Sequence, residues 1–144
     1  MYFFSLDAAS TFAVRAARLL LNLPYYKAAM TIAPADDGLR YHCARERGDA
    51  RFSATHTPVG PSFAAAPGSL EYFLSERYCL FHVDRRGRPY VLEIHHRPWS
   101  LRAATADVTA NTMAAARGIQ LPERAPLLHV AGRQDVVAWA PTWL

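Results

Sequence analysis

Apolar and polar positions alternate over most of this chain, and helical spacing is confined to three short stretches. The first of these lies inside Tyr2–Tyr26, YFFSLDAASTFAVRAARLLLNLPYY. Tyr2 to Leu6 is an aromatic run of strand type. From Ala8 to Asn22 the apolar residues recur at helical spacing, with Phe12, Ala13, Ala16 and Leu20 on one face, until Pro24 stops the pattern. Asp7 or Ser10 caps this helix by accepting from its first free N–H groups. The small residues on the apolar face predict close packing against a sheet.

The pattern then changes to period two. Tyr25 to Ala33 reads as a strand, with Tyr25, Lys27 and Ala29 on one face and Tyr26, Ala28 and Met30 on the other. Asp37-Gly38 signals a hairpin into Leu39–Glu46, and Arg47-Gly48-Asp49 turns again into Arg51–Thr57. These three strands form an antiparallel meander. Pro58 to Gly68 (PVGPSFAAAPG) reads as a loop. Ser69 caps a short helix over Leu70–Arg77, and Tyr78–Val83 and Tyr90–His96 form a hairpin across Asp84-Arg85-Arg86-Gly87-Arg88-Pro89. Leu101–Thr109 is a further strand. Asn111 caps a third helix, Thr112–Arg117, ended by Gly118. Leu127–Ala131 and Val136–Trp139 complete about nine strands and three short helices, mostly strand following strand. The expected fold is α+β: a curved, mainly antiparallel sheet or a partly closed cone-like barrel, in one domain over residues 1–144.

Composition narrows the function classes. The chain is 51% hydrophobic and 19% charged, as in a globular domain. No apolar run reaches the ~20 residues of a membrane span, and the N-terminus lacks the charged region and cleavage site of a signal peptide. The expectation is a cytoplasmic protein with no membrane partner. Of the 16 basic residues behind the net charge of +4, all but Lys27 are arginine. They cluster only at Arg85, Arg86 and Arg88 in the hairpin tip, and no basic stripe with interleaved aromatics is present, which argues against nucleic acid. Cys43 and Cys79 lack metal or redox spacing and read as reduced residues in strands.

The candidates for chemistry are few. His95 and His96 are adjacent, so on a strand they point to opposite faces. The other four histidines lie one to a strand, without a zinc spacing. Arg77, with Tyr78 beside it, closes the second helix where a guanidinium can hold a carboxylate bidentately, or pair with Glu71 or Glu93 as scaffolding. Arg18 has the same two readings. Lys27 is the one side chain suited to Schiff-base chemistry, but its sequence neighbours, Tyr26 and Ala28, supply no cation to activate it. No serine sits in a nucleophile elbow and no phosphate-binding glycine loop is present. No cofactor is expected.

YFFSLDA, the Ala17-Arg18 pair, LPYY at 23–26, GSLEYFLSERY at 68–78 and HHRPW at 95–99 together resemble the YqjF-like family, which is grouped with the acetoacetate decarboxylase-like superfamily. The resemblance spans nearly the whole chain. It implies a cone-like antiparallel β fold with a central cavity, but no particular activity. Acetoacetate decarboxylases carry two adjacent lysines after the turn that follows the helix arginine. Here Arg18 and Pro24 keep that frame, but Tyr25 and Tyr26 stand in the lysine positions. Lys27 is displaced by two residues, about 7 Å along the strand. The resemblance therefore implies loss of Schiff-base decarboxylation. Relatives also carry a segment before YFFSLDA, so this chain is expected to be the C-terminal portion of a longer family domain. Tyr2–Phe4 would then be an unpaired edge through which copies associate.

Three readings remain open at the level of sequence. One is a binder of a small organic acid or apolar anion in a central cavity of the β fold, without Schiff-base chemistry, with Arg18, Tyr25, Arg77, Tyr78, His95 and Trp99 as candidate ligand residues. Another is a lyase or hydrolase for a keto acid or enol, with Tyr25 as acid–base. The last is an incomplete or partner-completed structural fragment.

Overall fold

A computed structural model describes all residues, 1–144. The chain opens with a β–α–β unit: β1 (Leu6–Ala8), α1 (Thr11–Leu20) and β2 (Tyr25–Ala35), with β1 parallel to β2. The meander follows as β3 (Gly38–Arg45) and β4 (Arg51–Ala64). After α2 (Leu70–Ser75) come β5 (Cys79–Val83), β6 (Pro89–His96) and β7 (Ser100–Asn111). Three short strands end the chain, β8 (His129–Ala131), β9 (Val136–Ala138) and β10 (Thr142–Trp143). One sheet has six strands in the order β1-β2-β3-β4-β7-β8, and the other has four, with β5 on one side of β6 and both β9 and β10 on the other. The architecture is α+β, a curled and mostly antiparallel sheet with few helices.

Several boundaries differ from the sequence reading. The first strand is Leu6–Ala8, not Tyr2–Leu6, because only these residues meet β2 in register, from Leu6 opposite Tyr25 to Ala8 opposite Lys27. The residues before it do not form a strand. Instead the Met1 ammonium donates to the Cys79 carbonyl at 2.7 Å, and the Met1 carbonyl accepts from the Phe81 N–H at 2.8 Å. The helix starts at Thr11 with Ser10 as its cap, leaving Asp7 free for another role. It ends at Leu20. Asn22 takes a left-handed φ of 53°, which lets the Leu23 N–H reach the Ala17 carbonyl at 3.1 Å.

The segment read as a loop, Pro58–Gly68, is strand as far as Ala64. Both prolines are tolerated because β3 stops pairing at His56, so this half of β4 has one free edge. Pro58 lies opposite Ala104, whose N–H turns away to the Leu128 carbonyl, so no hydrogen bond is lost there. Gly60 and Pro61 fall within the register shift between Val59 and Phe63. The third helix is one 3-10 turn, Ala115–Arg117. Asn111 belongs to β7, and Thr112 Oγ1 accepts instead from the Arg51 N–H at 2.9 Å. Gly38 opens β3 because a Cβ there would lie 1.8 Å from the His56 carbonyl oxygen.

The buried core is small and sits where the two sheets meet. Leu23, Leu80, Tyr90 and Leu92 form its one cluster, with Phe3, Ala17, Leu21 and Tyr25 packed against them, while Ala28, Cys43 and Ala54 are buried separately on the meander. Tyr90 donates its hydroxyl to the Leu21 carbonyl at 2.7 Å, and Asn22 Nδ2 donates to the Val83 carbonyl at 3.1 Å. The β5–β6 hairpin is thus tied to the end of α1. Its tip is held by Asp84, which accepts from the Arg86 N–H at 2.8 Å, the Arg88 N–H at 2.9 Å and Arg88 Nε at 2.8 Å.

These donors, the Arg88 N–H foremost, push the Asp84 pKa down to about 2. A carboxylate depressed on folding stabilises the fold above its unfolded pKa and loses that contribution as pH falls through the folded one. The melting temperature of the native protein should therefore fall more steeply between pH 5 and pH 2 than that of Asp84→Asn. Parallel curves would show that the tip contributes nothing.

Candidate functional site

The site begins with a buried ion pair. The crossover through α1 lays β1 beside β2 and puts Asp7 opposite Tyr26, one strand from Arg45. Arg45 Nε donates to Asp7 Oδ1 at 2.6 Å and Nη2 to Oδ2 at 3.3 Å, while Nη2 also reaches Ser5 Oγ. The guanidinium carbon lies 3.9 Å from the centre of the Tyr26 ring, a cation–π contact. The two side chains are 6% and 12% exposed. Arg45 is thus held by its own chain through Nε and Nη2.

On the α1 side of this pair runs a groove of about 670 Å³. Helix α1 contributes Arg15 and Arg18, three residues apart and so on neighbouring positions of one face. The β2 and β3 ends contribute Tyr26, Lys27, Glu46 and Arg47, and the hairpin tip contributes Arg85. Arg85 Nη2 donates to the Arg18 carbonyl at 3.2 Å, which fixes the tip against the helix. Five cationic side chains therefore face one carboxylate. That carboxylate, Glu46, lies 3.4 Å from Lys27 Nζ, which also donates to the Ala9 carbonyl at 2.7 Å. Arg15, Arg18, Arg47 and Arg85 have no carboxylate partner within 4.0 Å. Arg18 also lies in the last turn of α1, where a cation complements the helix dipole.

The candidate residues named from sequence fall in three places. Arg18 lines the groove. Tyr25 packs on the Leu23–Leu92 core cluster, away from it. Arg77, Tyr78, His95 and Trp99 lie near one another where α2 meets β5, around Glu76. The Arg77 guanidinium stacks 3.6 Å over the Phe73 ring. Tyr78 donates its hydroxyl to Glu76 and stacks on His96 and His95, with ring centres 4.7 and 6.3 Å away. The Trp99 N–H donates to Glu76 Oε1 at 3.1 Å. Burial alone would raise the Glu76 pKa, but the donors from Tyr78 and Trp99 outweigh it and hold the carboxyl low. The same bond pushes the Tyr78 pKa up to about 12. Of the two histidines, His96 is the buried one, with Nδ1 donating to the Arg97 carbonyl at 2.8 Å. Around Glu76 the carboxylate is satisfied by Tyr78 and Trp99, but Arg77 Nη2 and Ser75 Oγ are buried without a hydrogen-bond partner.

Sequence reasoning missed Arg15, Tyr26, Arg47 and Arg85 as members of the site. The spacing of Arg15 and Arg18 was a usable signal; Arg47 and Arg85 arrive only through tertiary packing. No three His, Cys, Asp or Glu side chains come together as metal ligands, both cysteines are free, and no helix is long and apolar enough to cross a membrane.

Comparison with known proteins places the chain beside one family. The DUF2071 family of uncharacterized conserved proteins matches residues 1–135. The chain is 43% identical over 140 residues to a Bacillus subtilis (strain 168) protein named "Uncharacterized protein YqjF", an alignment covering 96% of this chain and 57% of that protein. The chain thus spans little more than half the length of this relative. No solved structure matches it.

Breaking a buried ion pair from one side leaves a charge without a partner and costs about 3–5 kcal/mol. Asp7→Ala should therefore lower the stability measured by urea unfolding by about that much, while Asp7→Leu combined with Arg45→Met should cost clearly less. A double variant as unstable as the sum of Asp7→Leu alone and Arg45→Met alone would show that the pair is not coupled.

Proposed function

The chain belongs to the DUF2071 family, and on that premise we propose that it binds a small organic acid or similar anion in the groove between α1 and the hairpin tip. The observation that carries this reading is the convergence of Arg15, Arg18, Arg47 and Arg85 without a carboxylate partner. Like charges brought together on a folded surface repel one another, so this arrangement gains from an anion that lies between them. Guanidinium groups offer paired donors that match a planar carboxylate. Val14, Leu19 and Tyr26 line the same groove and give the ligand an apolar wall.

The anion sits at this rim rather than in a central cavity, because Arg45, on the curled face of the sheet, is already held by Asp7 and Ser5. Schiff-base chemistry is not part of the proposal. The Lys27 amine is held between the Ala9 carbonyl and Glu46. The curled antiparallel sheet supports the acetoacetate decarboxylase-like grouping that the sequence resemblance implies.

Calorimetric titration with acetate, benzoate and malonate tests the reading. We expect saturable binding that weakens as salt is added, because the attraction is between charges near the surface. Arg18→Gln and Arg85→Gln should each weaken it by about tenfold or more, the loss of one charge-assisted hydrogen bond. Arg77→Gln, remote from the groove, should leave it unchanged. Absence of saturable binding, or binding indifferent to both groove variants, would overturn the assignment.

A further inference from the structure

The curled face of the six-stranded sheet carries a second, chemically different depression. Antiparallel register puts Met30 opposite Cys43, Cys43 opposite Phe52, Tyr41 opposite Ala54, and Ala54 opposite Val108, so these side chains share one face. Two hollows lie along it. One, about 550 Å³, is bounded by the N-terminal segment from Tyr2 to Asp7 and by the region of the 3-10 turn. The other, about 300 Å³, is bounded by the segment from Pro126 to Val130. Tyr41 and Phe52 line both, their ring centres 6.0 Å apart. The hollows therefore form one apolar trough with a shared aromatic saddle.

The lining is mostly apolar, and of its two cations one is paired with a carboxylate. Its buried cation, Arg45, is closed by Asp7 and by the Tyr26 ring. The other, Arg117, lines the larger hollow and donates to the Tyr26 hydroxyl at 3.3 Å, with no carboxylate within 4.0 Å. Burial pushes the Tyr41 pKa up to about 12, so the saddle offers a neutral hydroxyl, while Cys43 is buried beside it. The size is that of a small-molecule pocket, and the walls at both ends come from the chain itself, which suits a small ligand better than a macromolecule.

We propose that this trough is a second binding site, which takes a neutral, mostly apolar small molecule with a hydrogen-bond acceptor directed at the Tyr41 hydroxyl. The mainly apolar lining contrasts with the arginine groove, so the two sites favour ligands of different polarity. This proposal stands independently of the anion site.

The full chain should be titrated with the neutral dye N-phenyl-1-naphthylamine and, for contrast, with an anionic naphthalene sulfonate. We expect saturable, salt-insensitive enhancement of the neutral dye at one site per chain. Ile119→Glu and Val108→Glu place a carboxylate at partly exposed positions in the two halves of the trough, 44% and 40% exposed, so the fold should survive them. Binding should fall about tenfold in at least one of them, since the new charge must be buried under the dye. Tyr41→Phe tests the hydroxyl with the ring kept in place and should lower the affinity of 1-naphthaldehyde, which carries an acceptor, more than that of naphthalene. Arg18→Gln should leave the dye unaffected. Absence of saturable binding, enhancement undiminished in both glutamate variants, or sedimentation showing that a dimer covers the trough and excludes the dye would overturn the proposal.

Discussion

The Asp7–Arg45 ion pair sets most of what this fold can do. Two charges taken out of water at this cost are retained only where the geometry is tightly held. Here two hydrogen bonds, a serine hydroxyl and an aromatic ring surround one guanidinium. The pair locks β1 onto the meander, and α1 follows directly from β1. The positions of Arg15 and Arg18 are therefore fixed relative to Lys27 and Arg47. The same pair ties up Arg45, which leaves a mainly apolar trough on one side and a cationic groove on the other.

The second constraint is the elbow after α1. Leu21 and Asn22 are tied to the hairpin by the Tyr90 hydroxyl, by Asn22 Nδ2 and by His82, whose Nε2 lies 2.9 Å from the Asn22 carbonyl. Leu23 continues into the small core beneath. This elbow brings the hairpin tip, and with it Arg85, to the last turn of the helix. The groove is thus assembled by two anchors, one at each end of α1, and its cations come from segments that have no relation in sequence.

That assembly explains what the sequence could reveal. The meander was legible because its turns are local: Asp37-Gly38 and Arg47-Gly48-Asp49 mark them directly. Ser10 and Ser69 are the helix caps, and Arg18 was marked by its place on the helix. Asp7 read as a cap because its partner lies 38 residues away and leaves no local trace. Pro58 and Pro61 read as loop because a free strand edge is a property of the sheet, not of the segment. Arg85 read as a solvated turn residue for the same kind of reason. Tyr25, chosen for its place in the family frame, faces the core because its neighbour Tyr26 takes the side of β2 toward Arg45.

The most direct test of the account follows the arginine Nε–H resonances of nitrogen-15-labelled protein while malonate is added. The account predicts that the signals of Arg15, Arg18, Arg47 and Arg85 move together and saturate, while that of Arg45, sealed by Asp7, stays in place. Signals that do not move, or a response centred on Arg45 or Arg77, would contradict it.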